Sequence, residues 1–196
     1  MYISFPFHKA EISLRVPDHC RVYRSKPKKP VVDIYTTVIK HLLRPLGYKR
    51  SLFDLAKKQN TACVIVDAMW PPEFIEHMLN PIVQTLHAGG MSHDDITIFA
   101  ATECPANGVE AEFSQFLSDK FGDYNLRVRK PAAEELFTFL GETISGVPVH
   151  IDADLPKADL KIIAGGIQTH PEFGFLDAAL FASFSLTGGE TIGALK

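Results

Sequence analysis

The sequence predicts an α/β fold built on a mostly parallel, doubly wound sheet, and three observations carry that reading. Ala62–Val66, Ile96–Ala101 and Leu160–Ala164 are short runs dominated by apolar residues, as strands buried on both faces require. Between the first two, Phe74, Met78, Ile82 and Leu86 recur at every fourth position, with Ile75, Leu79 and Val83 beside them, the pattern of a helix with one buried side. Strand–helix alternation of this kind places helices on both faces of a parallel sheet and makes its crossovers right-handed.

The chain begins with two predicted strands, Tyr2–Phe7 and Glu11–Val16. Ile12, Leu14 and Val16 alternate with Glu11, Ser13 and Arg15, the period of a half-buried strand, and the short connection suits a small antiparallel hairpin. Residues 21–30, RVYRSKPKKP, read as a solvated basic connector rather than a phosphate-binding patch. A helix from Val31 carries Ile34, Val38 and Leu42 and stops at Pro45. Ser51 suits the N-cap of a short helix over Leu52–Lys58. Asp67 ends the strand Ala62–Val66, and Pro71-Pro72 opens the long helix, since proline is tolerated in a first turn. Pro81 inside that helix predicts either a kink or a restart capped by Asn80, and Gly89-Gly90 its end.

Beyond the strand Ile96–Ala101, the residues Val109, Phe113, Phe116 and Leu117 mark a helix that Gly122 closes. Asn125–Arg129 reads as a strand and Ala132–Phe139 as a short helix. Gly141–Ile151 reads as a turn at Gly146 followed by a strand that Pro148 confines to an edge. Phe175–Phe184 is apolar without a clean period, and Thr187–Glu190 looks like a helix start. One domain spanning 1–196 is expected, with the strand pair and basic loop in 1–30 and a Rossmann-like α/β core in 31–196.

The 196 residues suffice for one sizeable core. A net charge of -3 gives no electrostatic pull toward nucleic acid. The apolar N-terminal run is broken by Pro6, His8 and Lys9, too early for a signal segment or a membrane span. Cys20, Cys63 and Cys104 are an odd number at wide spacings, which suggests a reducing, cytoplasmic setting and no metal knuckle.

In an open α/β sheet, ligands bind beyond the carboxyl ends of the strands. Asp67 and Glu103 each follow one predicted strand there, and His170 follows a third by six residues. Two carboxylates and an imidazole facing one crevice suit acid–base work on a small ligand. Gly165-Gly166 lets the backbone turn sharply or a ligand come close, and Trp70 and Thr102 extend the candidate ligand-binding set. The plain alternatives are that Asp67 caps a helix, Glu103 is solvated and His170 is a surface residue. His77, His87 and His93 lack the spacing of a metal pair and read as surface, so no metal site is expected. No phosphate-binding loop, nucleophile elbow or zinc-protease motif is present.

Five segments in order resemble the N-terminal domain of the nickel-dependent lactate racemase family. DAMWP stands where that family has D-x-T-R-P. LNPIVQTLHAGG carries its internal helix proline, and DDITIFAATECP matches its strand and G-T-H-R-P turn. LGETISGVPVHID and AGGIQTHPEFGF, running on to GGETI, match two later stretches. The resemblance implies a doubly wound fold and interconversion of 2-hydroxy acid stereoisomers by two histidines and a nickel-pincer nucleotide tethered to a lysine. His170 stands at one catalytic histidine and Asp67 is kept. Glu103 replaces the other histidine, Trp70 the arginine, and Leu180 the cofactor lysine, while the nickel histidine falls near Lys196.

Leucine cannot form the covalent link, so no cofactor is expected. The reading that follows is a divergent, cofactor-free relative that binds or acts on a small hydroxy acid or similar anion through His170 and Glu103. One alternative is a non-catalytic module for a ligand or partner, and another is a subunit or fragment of a two-domain isomerase. The apolar segment Phe175–Phe184 points to a covered surface, with a second copy of the chain or a second domain as the expected partner.

Overall fold

The computed structural model describes all residues except 8, 9, 24, 25, 27, 102–108, 130–135, 171 and 196. The chain divides into two compact units, Met1–Val32 and Asp33–Lys196. In the first, β1 (Tyr2–Phe7) and β2 (Ala10–Arg15) pair antiparallel from Tyr2↔Arg15 to Phe7↔Ala10. The Met1 ammonium closes the open end on the Asp18 carboxylate at 2.6 Å and the Val16 carbonyl at 3.0 Å. The alternation read in Glu11–Val16 does not produce half-burial, since β2 is exposed along its whole length. A two-stranded ribbon has no layer of its own against which to bury a face.

The second unit opens with α1 (Ile34–Leu43), which starts later than Val31 because Asp33 caps it, its carboxylate accepting the Thr36 N–H at 2.9 Å. Ser51 and Asp54 form a reciprocal capping box on α2 (Leu52–Ala56), satisfying two donors that the first turn would leave free. Next comes β3 (Ala62–Asp67), every residue of which is buried. The following α3 (Pro72–Ala88) runs unbroken through Pro81 without a restart at Asn80. The elements β4 (Ile96–Ala101), α4 (Val109–Phe121) and β5 (Asn125–Val128) complete the alternation.

Further along, β6 (Phe137–Glu142) and β7 (Pro148–Asp152) form an antiparallel pair of their own. Residues 137–139 are therefore strand, not the end of a helix over 132–139. Phe137, Thr138 and Phe139 favour a pleated surface, and β7 supplies their backbone partners. Gly141 lies within β6 at φ +125, beside an irregularity in the ladder. The turn comes later, where Gly146 at φ +79 donates its N–H to the Thr143 carbonyl.

The chain then forms β8 (Leu160–Ala164), β9 (Gln168–His170) and β10 (Gly174–Leu176). α5 (Ala178–Ser185), capped by Asp177, and α6 (Gly189–Leu195) follow. The last two strands pair antiparallel as a small hairpin, where a plain loop is the sequence expectation. Each is three residues long, too short to show a period.

Four strands make the central sheet in the order β5–β4–β3–β8, all parallel. Alternate residues of β3 and β4 serve opposite faces. Val64, Val66, Ile98 and Ala100 pack with α2, α3 and α4 residues such as Ile75, Leu79 and Leu117. Cys63, Ile65, Phe99 and Ala101 pack with Leu155, Phe181 and Leu186 on the other side. The expected segment Phe175–Phe184 thus splits, with Phe181 in the core and Phe175 65% exposed. Among the described residues no helix is long and apolar enough to cross a membrane.

The contact between α2 and the end of α3 depends on Gly89, where an added Cβ would sit 2.4 Å from the Ala56 Cβ. Gly89→Ala is expected to destabilise the chain by about 1–3 kcal/mol through overpacking, read as a lower midpoint in urea unfolding with an unchanged slope.

Candidate ligand crevice

The loops leaving β3 and β8 diverge. β3 feeds α3 on one face of the sheet, and β8 leads through the β9–β10 hairpin to α5 on the other. Adjacent parallel strands whose connections leave toward opposite faces open a crevice at their carboxyl ends. Asp67 closes β3 on one side of it, and Gly165-Gly166 follows β8 on the other.

Asp67 is only 5% exposed. Its Oδ1 accepts the Met69 N–H at 2.9 Å, so it ties down the turn before α3 and does not cap the helix itself, whose N-cap is Pro71. Burial pushes its carboxyl above the ordinary aspartate range, and the Met69 N–H and the neighbouring Trp70 indole pull it partly back. That indole N–H makes no hydrogen bond of good geometry among the described residues, although it is fully buried.

The indole stacks at 4.9 Å on Phe74 of α3 and lies on Gly166. A Cβ at Gly166 would fall 2.1 Å from the indole Cζ2, whereas one at Gly165 would meet the Asp67 Cβ at an ordinary 3.7 Å. Neither glycine has a positive φ. Gly166 is therefore demanded by close approach and not by a sharp turn.

His170 ends β9, half-buried. Its ring stacks at 4.8 Å on Phe173, which packs at 5.2 Å on Phe184 of α5. Nδ1 accepts the N–H groups of Glu172 at 3.2 Å and Phe173 at 3.4 Å. A neutral ring so held carries its hydrogen on Nε2. In that state Nε2 donates to an anion and has no lone pair with which to take a proton.

Of the residues singled out from sequence, the structure brings Asp67, Trp70, Gly165 and Gly166 together. His170 stands on the hairpin that continues from Gly166, and no hydrogen bond among the described residues joins it to Asp67 or Trp70. Thr102 and Glu103 lie outside the described residues, as does Cys104.

Three features escaped the sequence reading. His87 is not a plain surface residue. It bonds the Met91 carbonyl and the Tyr124 hydroxyl, both at 2.8 Å, and stacks with His93. The sequence separation of 37 residues to Tyr124 hid that cluster. His150 pairs with Glu190 at 2.9 Å beside a cavity of about 180 Å³ lined by Phe137, Gly188 and Gly189. At the amino edge of the sheet, a cavity of about 260 Å³ includes Thr61, Cys63, Arg127 and Lys157. Arg127 is engaged there by Asp152 and Asp154, and Lys157 by Asp154. Burial drives the Cys63 thiol up to about 11, leaving it protonated and inert at neutral pH.

The family model for the lactate racemase N-terminal domain matches residues 7–177. No curated protein matches the chain. Among solved structures, the lactate racemase apoprotein from Thermoanaerobacterium thermosaccharolyticum is similar at 23% identity with a TM-score of 0.64. The match covers 90% of this chain and 41% of that one, so this chain spans less than half of the relative's length.

Asp67 gives the site a pH signature. Its folded-state pKa lies above its unfolded one, so the native state binds more protons in between, and stability falls as pH rises from the ordinary aspartate value of 3.8 through the raised value. Asp67→Asn keeps an oxygen for the Met69 N–H and removes that titration. The melting temperature of the wild type relative to the variant is expected to drop across this window and then level off.

Proposed function

We propose that this chain, which belongs to the lactate racemase N-terminal domain family, binds a small hydroxy acid or similar anion at the carboxyl ends of β3 and β8 without the tethered nickel cofactor. The observation that carries the reading is the convergence of Asp67, Trp70 and Gly165-Gly166 between β3 and β8, where the connections diverge. His170, from the next element of the same crevice wall, donates Nε2–H to the anion. Asp67, whose carboxyl burial pushes above the ordinary aspartate range, then accepts a hydroxyl hydrogen from the ligand.

The cofactor of the family does not fit the residues present. Leu180, which the resemblance sets at the position of the tethering lysine, lies in the first turn of α5 and offers no amine. No group of three His, Cys, Asp or Glu among the described residues is arranged to hold a metal ion.

Racemisation needs a base to remove a proton and an acid to return it. As held, the neutral His170 is a donor, which favours binding over acid–base turnover. If Glu103 supplies the base, the chain is instead an isomerase of the same substrate class, and single-turnover exchange of the lactate α-hydrogen with deuterium separates the two readings.

Protein produced with nickel in the medium is expected to show an intact mass equal to that of the bare 21.7 kDa chain and nickel far below one per chain. Calorimetric titration with lactate is expected to saturate, and His170→Ala to weaken it about tenfold, the loss of one charge-assisted hydrogen bond. A nucleotide adduct with stoichiometric nickel, or no saturable binding, would contradict the reading.

A further inference from the structure

We infer that Trp70 is the specificity-determining residue of the crevice: its indole occupies the seat on Gly166 that the substituent of a larger 2-hydroxy acid takes when the indole is displaced. The inference rests on the crevice being the anion site.

Three observations converge on it. The indole meets Gly166 so closely that a methyl group there would overlap its Cζ2 at 2.1 Å, so the ring fills the space beside β8. Its N–H is buried and makes no well-formed hydrogen bond among the described residues, although it lies close enough to Asp67 to act on that carboxyl. A position with a better-placed acceptor would satisfy that donor. Finally, Trp70 stands in the turn between β3 and α3, outside both elements, next to the exposed Met69. Rotation of the side chain therefore breaks no ladder or helix hydrogen bond.

The seat is apolar where it touches Phe74 and open backbone where it touches Gly166. It accepts a flat hydrocarbon group. With the indole in place, only a ligand with a small substituent fits beside Asp67. With the indole gone, an aryl-substituted hydroxy acid does.

Trp70 is the only tryptophan of the chain, so its fluorescence reports this seat alone. Gly166→Ala is expected to expel the indole and shift its emission to longer wavelength, and Gly165→Ala, where a methyl is tolerated, to leave it unchanged. In calorimetry, Trp70→Ala is expected to bind mandelate at least about tenfold more tightly than the wild type, as when the seated indole leaves about one molecule in ten open. Trp70→Val gives the same comparison if the alanine variant does not fold. Unchanged emission in Gly166→Ala overturns the seat whatever the ligand. Lactate binding by the wild type with no mandelate gain in the variant overturns the inference and leaves the crevice reading standing. Failure of every chain to bind either acid overturns both.

Discussion

The burial of β3 is the constraint on which the rest of the larger unit depends. It is hydrogen-bonded to a parallel strand on each side, and its two faces feed two separate clusters of the core. A strand so placed tolerates no polar side chain along its length unless that group is bonded. Asp67 is the single charged residue of β3, and it stands at the last position, where the turn can offer it the Met69 N–H. The carboxylate is thus drawn from water by the same packing that builds the sheet. Its raised pKa is a consequence of β3 being central rather than of any neighbouring charge.

The same geometry determines what stands opposite Asp67. β8 pairs with β3 in register from Ala62↔Leu160 to Val66↔Ala164, so the residues after Ala164 emerge beside those after Val66. A side chain at Gly166 would collide with Trp70, and a tryptophan at 70 therefore requires a glycine at 166. The β9–β10 hairpin then carries His170 away on a short rigid arm braced by Phe173 and Phe184. A crevice walled by a desolvated carboxyl and an indole has polar groups that can orient one small anion, and its described part holds no arranged pair of acid and base.

Much of this was legible in the sequence because burial on both faces leaves a plain mark. ACVIV and ITIFAA are continuous apolar runs, and the helix between them keeps its period through Pro81. Asp67, Trp70 and the glycine pair were legible as a place, the carboxyl ends of strands, but their mutual contact was not. Sequence does not show that β3 and β8 are neighbours across almost a hundred residues. Residues 137–139 read as helix in the sequence because Glu134, Glu135 and Leu136 favour a helix locally, whereas pairing with β7 decides the outcome. Ile12 and Leu14 show the opposite error, a correct strand whose alternation buries nothing because its own unit offers no second layer. The His87–Tyr124 bond left no local signal at all.

The central claim is that the ligand site lies at the carboxyl end of β3 and β8 and not in the cavity at the amino edge. Backbone and indole amide shifts in a nitrogen–proton correlation spectrum, recorded as lactate is added, test it most directly. The account predicts that the largest movements gather at Met69, the Trp70 indole, Gly165, Gly166 and His170. Movements gathered instead at Thr61, Cys63, Arg127 and Lys157 would place the ligand at the opposite edge of the sheet and contradict it.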